Sequence, residues 1–135
     1  MSAVSYEVAE QEVHGWLKEC RFRKRKIESN KEYVDQLIEA VENGDITIDE
    51  DTKEIVMPLV FPIGENGSVS ELKFKTQLKV KEYRQRLNSG RVQAGDSDGR
   101  ILAYISALTG QHFNVISELS SEDNSLASSI AIFFF

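Results

Sequence analysis

Few residues of this chain have types and spacings that could do chemistry. There are two histidines, one cysteine, one run of basic residues and a few glycine- and aspartate-rich turns. His14 and His112 are far apart in sequence, and neither belongs to an H-x-x-x-H or H-E-x-x-H pattern. A zinc site needs a convergent ligand set that this spacing does not supply, so both read as rim histidines. Cys20 lies beside Arg21-Phe-Arg-Lys-Arg-Lys26, whose charge would favour a thiolate, but no histidine base is near it in sequence. It is expected to act as a small buried apolar group.

The remaining patterns fail on their own grammar. Gly90-Arg-Val-Gln-Ala-Gly95 has the glycine spacing of a phosphate loop but lacks the Lys-Ser/Thr ending, and no buried strand leads into it. Asp96-Ser-Asp98-Gly99 hints at a calcium loop, yet Arg100 stands where a ligand is required. Asp49-Glu-Asp51 lacks the glycine such a loop needs. Both are simpler as turns and helix starts. There is no G-x-S-x-G and no spaced carboxylate pair inside a predicted pocket. No catalytic residue, cofactor or metal is therefore expected, and the chain reads as a non-enzyme.

Composition narrows the class further. A chain of 135 residues fits one domain with room for an appendage, and its 41% apolar and 28% charged content is that of an ordinary globular protein. The net charge of −6 argues against a nucleic-acid surface, which needs a concentrated excess of Lys and Arg. Residues Arg21 to Lys26 are the one local exception; on a helix they form a collar, and the expected use is a solvated face pairing with Glu19, Glu28 and Glu32 or with an acidic partner. No apolar run is long enough to span a bilayer and no signal-peptide layout begins the chain. A single cysteine makes a reducing cytoplasm the expected compartment.

The elements that would position these residues follow from periodicity. Residues 3–43 are helical: Tyr6, Val13, Cys20, Ile27, Val34 and Val41 recur every seven residues. Ala9, Trp16, Leu17, Leu37 and Ile38 widen the stripe at its ends, whereas Arg23/Lys24 and Asn30/Lys31 narrow it at the centre. One unbroken helix would run about 60 Å. Either it projects and pairs as a coiled coil, or it breaks near Glu28-Ser29-Asn30, where Ser29 and Glu32 could make a capping box. Asn43-Gly44 ends it. Residues 1–44 are thus a helical arm and 45–135 an α+β domain.

In that domain Ile46 and Ile48 alternate with polar residues, and Ile55, Met57, Leu59 and Phe61 form the inward face of a strand. Pro58 makes that strand an edge, or bulged. Gly64 and Asn66-Gly67 turn the chain into a returning strand, Val69 to Lys75, with Leu72 and Phe74 inward. The sheet is small, antiparallel, of two or three strands. Val80, Tyr83 and Leu87 then stripe a helix that ends near Gly90. Ile101, Leu102, Ile105 and Leu108 stripe another, stopped by Thr109-Gly110. Val115, Ile116 and Leu119 resume the period, and Ser120 or Ser121 starts a last helix with Leu126, Ile130 and Phe133/Phe134 on its apolar face. No Lys or Arg follows Arg100.

Residues 55–135 resemble the tail assembly chaperones of long-tailed bacteriophages. The residues that carry the resemblance are Leu59-Val-Phe-Pro62, Glu71-Leu-Lys-Phe74, the charged helix Lys79 to Leu87, and Ile101 to Leu108. Thr109-Gly110, Ile116, Leu119, Asp123, Leu126 and the terminal Phe133-Phe134 complete it. The long segment 1–44 departs from the compact members of that family. The resemblance implies a protein that binds the tape measure protein, keeps its helices in solution, assists tail tube assembly, and is absent from the finished virion. Its place would be the cytoplasm of the bacterial host. It also implies a longer frameshifted product, and the three terminal Phe codons would form a U-rich slippery site. A structural tail or head-completion component retained in the virion is the alternative.

The surfaces expected to bind partners are apolar. Leu126, Ile130, Phe133, Phe134 and Phe135 form one, unless Phe133 and Phe134 pack on the preceding helices; Phe135 is the hardest to bury. Val13, Trp16, Ile27, Val34 and Ile38 form the other, through which the arm would self-associate into a homo-oligomer or dock on its own domain. No nucleic acid or membrane partner is expected.

Overall fold

A computed structural model describes residues 3–135. Helix α1 (Tyr6–Cys20) begins at Ser5, whose hydroxyl accepts the Val8 N–H at 3.3 Å, and ends at Arg21 in the left-handed conformation, φ 59°. After Phe22 and Arg23 the chain forms α2 (Lys24–Ser29), turns again at Asn30, and continues as α3 (Lys31–Asn43). The projecting single helix is not formed. The break at residues 28–30 is present, and a sharper one lies at Arg21–Arg23. The capping box at Ser29 is absent, because Ser29 closes α2; Asn30 fills the junction and donates from Nδ2 to the Lys26 carbonyl at 2.9 Å.

These two breaks reverse the chain, so α1 and α3 pack side by side. α1 buries Ala9, Val13, Trp16 and Leu17, and α3 buries Val34, Leu37, Ile38, Ala40 and Val41. The stripe is wide where the helices pack and narrow where the chain turns. Gly44, φ 82°, ends α3 in the left-handed conformation that glycine adopts without strain.

A three-stranded antiparallel sheet follows in the order β1-β2-β3. β1 is Thr47–Ile48, β2 Ile55–Ile63 and β3 Val69–Phe74. The β1–β2 turn is held by Asp49, whose Oδ1 accepts the N–H groups of Asp51 and Thr52 at 2.9 Å each. Ile55, Met57, Leu59, Leu72 and Phe74 face the interior as the alternation predicts.

The remaining elements are α4 (Val80–Ser89), α5 (Ser97–Thr109), α6 (Phe113–Ile116) and α7 (Ser121–Ala131), then a 3-10 turn at Ile132–Phe134. Asp96 caps α5 by accepting the Gly99 N–H at 2.9 Å. Gly110, φ 74°, stops α5, and the Thr109 hydroxyl turns back to the Ile105 carbonyl at 2.8 Å. The Lys75 N–H takes up the free carbonyl of Leu108 at 2.9 Å, which fixes the end of β3 against the end of α5. α4 buries no residue fully; Val80, expected in its apolar stripe, is 72% exposed because it is the helix's first residue. Tyr83 nevertheless stacks on Tyr104 of α5 with ring centroids 4.0 Å apart.

One apolar core runs through the helical hairpin, the sheet and the C-terminal helices. Trp16 meets Phe22 and Phe133 edge-on at 5.7 and 5.5 Å, so residues of the expected arm and of the expected domain share a core. The fold is α+β. No helix among the described residues is long and apolar enough to cross a membrane.

Candidate partner-binding site

The distinctive local geometry lies in β2. Pro58 pairs with Glu71 and Ile63 with Val69, so β2 advances five residues while β3 advances two. The extra residues form a bulge at Leu59–Pro62. Phe61 was expected to point inward; the bulge breaks the alternation and turns it out. Val60 is 61% and Phe61 62% exposed, while Ile63 returns to the interior.

A buried carboxylate holds this bulge. Asp123, only 3% exposed, accepts the Val60 N–H on Oδ1 at 3.1 Å and the Phe61 N–H on Oδ2 at 3.2 Å. Its own N–H donates to the capping hydroxyl of Ser120 at 3.2 Å. Asp123 thus sits in the first turn of α7, where the helix dipole favours an anion. In a capping box the third residue's carboxylate would reach back to the cap residue. Here it leaves its helix and binds the neighbouring strand. Glu118 adds a second such contact, its Oε1 accepting the Gly64 N–H at 3.2 Å.

Pro58 was expected on an edge or at a bulge. It lies in the central strand of the sheet, but β1 stops at Thr47, opposite Val56, so β2 is a free edge from Met57 onward on that side. The Asp49 N–H bonds to the Glu54 carbonyl, so even-numbered residues of β2 turn their main-chain groups towards β1. Along the free edge the next donors in that direction would come from residues 58 and 60. Pro58 has none, and the Val60 N–H is taken by Asp123. An added strand would find no main-chain donor there.

Beside this edge is an open cleft of about 490 Å³. Gly44 and Asp45 form one end, Pro58, Leu59 and Val60 one wall, and Glu122, Ser125, Leu126 and Ser129 of α7 the other. Leu126, predicted for partner binding, is half-buried and lines it.

The other predicted residues are placed differently. Val13, Trp16, Ile130 and Phe133 are fully buried, Ile38 is 2% and Val34 6% exposed, all inside the protein's own core. Ile27 and Phe134 are half-buried and pack against it. Phe135 is 48% exposed and tilts against Tyr104 at 4.6 Å. Phe61 was missed as a surface residue; Val60 lies on the outward face of the alternation but was not among the residues expected to bind a partner. The adjacent Leu59-Val60-Phe61-Pro62 reads as a plain strand, and only Pro58 signalled its irregularity.

Among the titratable candidates, Cys20 is half-buried and its thiol is pushed up to about 12, first by burial and then by Glu19. That environment suppresses the thiolate. His14 and His112 are exposed, and no cluster of metal-ligating side chains exists among the described residues. The expected pairing of Arg21–Lys26 with Glu19, Glu28 and Glu32 is not made; the one ion pair among the described residues is Lys75–Glu82 at 3.3 Å. The basic run spans a helix break: Arg21–Arg23 lie between α1 and α2, while Lys24, Arg25 and Lys26 share α2 with Glu28.

Comparison with protein-family models, with curated proteins and with solved structures finds no match to this chain.

Proposed function

We propose that this protein is a non-enzymatic tail assembly chaperone of a long-tailed phage or prophage. In this reading it shields an apolar helical segment of the tape measure protein at the Val60–Phe61 bulge and the adjoining cleft. One observation carries the reading: two large apolar side chains, each more than 60% exposed, stand on a bulge that a buried carboxylate holds in shape. Covering both would yield on the order of 3–5 kcal/mol of apolar burial. That suits a holding interaction which must later release. The blocked strand edge favours a helix over an added strand as the guest, because a helix satisfies its own main-chain groups. The resemblance of residues 55–135 to tail assembly chaperones supplies the identity of that guest.

The test is co-expression with the tape measure protein encoded downstream. The chain should co-purify with it and raise its soluble fraction. Val60→Ser with Phe61→Ser should remove both effects while leaving thermal stability nearly unchanged, since both side chains are already in water. Unchanged co-purification by that variant would place the contact elsewhere. Detection of the protein in purified virions would favour a retained tail or head-completion component instead.

A further inference from the structure

The charges of this chain are segregated. Residues 18–31 hold seven Lys/Arg against two Glu, and residues 73–100 hold eight against three acids. The rest of the chain holds one Lys and 17 acids. The fold brings the two basic segments together. A second open cleft, about 380 Å³, is lined by Cys20, Arg21, Phe22 and Lys26 on one side and by Thr76, Gln77 and Leu78 on the other, with Phe134 also lining it. Lys79 and the exposed Val80 follow Leu78 directly. Arg21, Arg23, Lys24, Arg25, Lys79 and Lys81 are exposed, and none has an ion-pair partner among the described residues.

We infer that this cleft is a second docking site, distinct from the β2 bulge, for an acidic amphipathic helix of a partner protein. Phe22, Leu78 and Phe134, each half-buried, supply the apolar part of its lining, and Arg21 and Lys26 supply positive charge beside Thr76 and Gln77. A helix with one apolar face and acidic flanks matches both features. Nucleic acid matches only the charge. Base stacking needs free ring faces, but Phe22 is half-buried, stacked on Phe133 at 5.9 Å and crossed by Phe134 at 5.0 Å, with the Lys26 amine over its ring. Lys26 is further held by donating to the Phe135 carbonyl, so it belongs to the wall of the cleft; Arg21 is the exposed cation of the lining, and exposed Lys79 follows Leu78 in the chain.

Two substitutions remove positive charge without disturbing the fold. Arg21 is left-handed, a conformation asparagine tolerates, and Lys79 is the α4 cap residue with no side-chain capping bond, a role serine fills. The probe is a fluorescein-labelled peptide of about four helical turns, leucine on one face and glutamate on the other. Full-length protein should bind it in a salt-sensitive way, and R21N/K79S should weaken binding about threefold to tenfold. A peptide of the same composition with the leucines scattered should bind more weakly than the amphipathic one. The inference is overturned if the peptide does not bind, or if the double variant binds it equally well. It is also overturned if a single-stranded oligonucleotide of equal charge binds better, or if the variant's main effect is loss of self-association, which would make a second copy's acidic surface the occupant. The Val60→Ser/Phe61→Ser variant should bind this peptide normally, so failure here and failure of the tape measure reading are separable.

Discussion

Asp123→Asn isolates the contact that shapes the candidate site. The native carboxylate accepts two main-chain N–H groups, at 3.1 and 3.2 Å, from residues adjacent in the bulge. Asparagine is nearly the same size, but one of its two terminal groups is a donor. It can satisfy either Val60 or Phe61, and it points an N–H at the other. A hydrogen bond to a charged group contributes about 1.5–3 kcal/mol, and one is lost. The exchange also removes the favourable interaction of the anion with the start of α7, about 0.3–1 kcal/mol. Against this, a neutral amide is easier to bury than a carboxylate, which returns part of the loss. The net expectation is a destabilisation of about 2 kcal/mol. For a chain of this length, that is roughly 7 °C in melting temperature. Denaturant and thermal unfolding measure the size, and native-state amide exchange locates it. Exchange at Val60 and Phe61 should accelerate more than at Met57 or Leu72, which are bonded in the regular part of the sheet. A change within about 0.5 kcal/mol, the range of an ordinary surface substitution, would refute the reasoning. So would uniform acceleration across the sheet, since the carboxylate would then not be a local clamp.

Three further outcomes rest on other contacts of the fold. Gly90→Ala should cost about 1–3 kcal/mol by overpacking, because an added Cβ would stand 2.6 Å from the ring of Phe113 with Gly90 already at an ordinary φ of −85°; urea unfolding checks it, and Phe113→Ala in the same chain should relieve the clash. Cys20 should resist Ellman's reagent at pH 8 in the folded protein and react on unfolding, because its thiol is pushed up to about 12 by burial and by Glu19; rapid modification without unfolding would contradict that burial. Asp49 should titrate below the usual carboxylate range by NMR, since the Thr52 and Asp51 N–H groups hold its charged form. With the folded value depressed, its contribution to the turn is present above the ordinary aspartate range and is lost as pH falls through the folded value.

The architecture was legible where one periodicity governed one element. Asp96, Ser120, Gly44 and Gly110 sit where cap chemistry places them, and Leu72 and Phe74 face inward as alternation requires. The heptad stripe also held usable information in its shape. It narrows at Arg23/Lys24 and Asn30/Lys31, and the chain turns at Arg21–Arg23 and at Asn30. A seam meant for another molecule would need its companion positions apolar along its whole length; one that folds on itself needs them only at the two ends that meet. That is why Val13, Trp16, Val34 and Ile38 are core residues. The site was less legible because it depends on contacts distant in sequence. Asp123 and Val60 are 63 residues apart. Capping rules correctly assign Asp123 to the start of α7, and strand rules leave a bulge open at Pro58, but neither rule refers to the other element. Arg21 and Leu78 face each other across the basic cleft in the same way, from segments that net charge averages to −6. Composition therefore argued against a charged surface that tertiary structure assembles from two basic segments. A local excess survives in a net acidic chain whenever the fold gathers one sign, and its reach is limited by screening to about 8–10 Å at physiological salt.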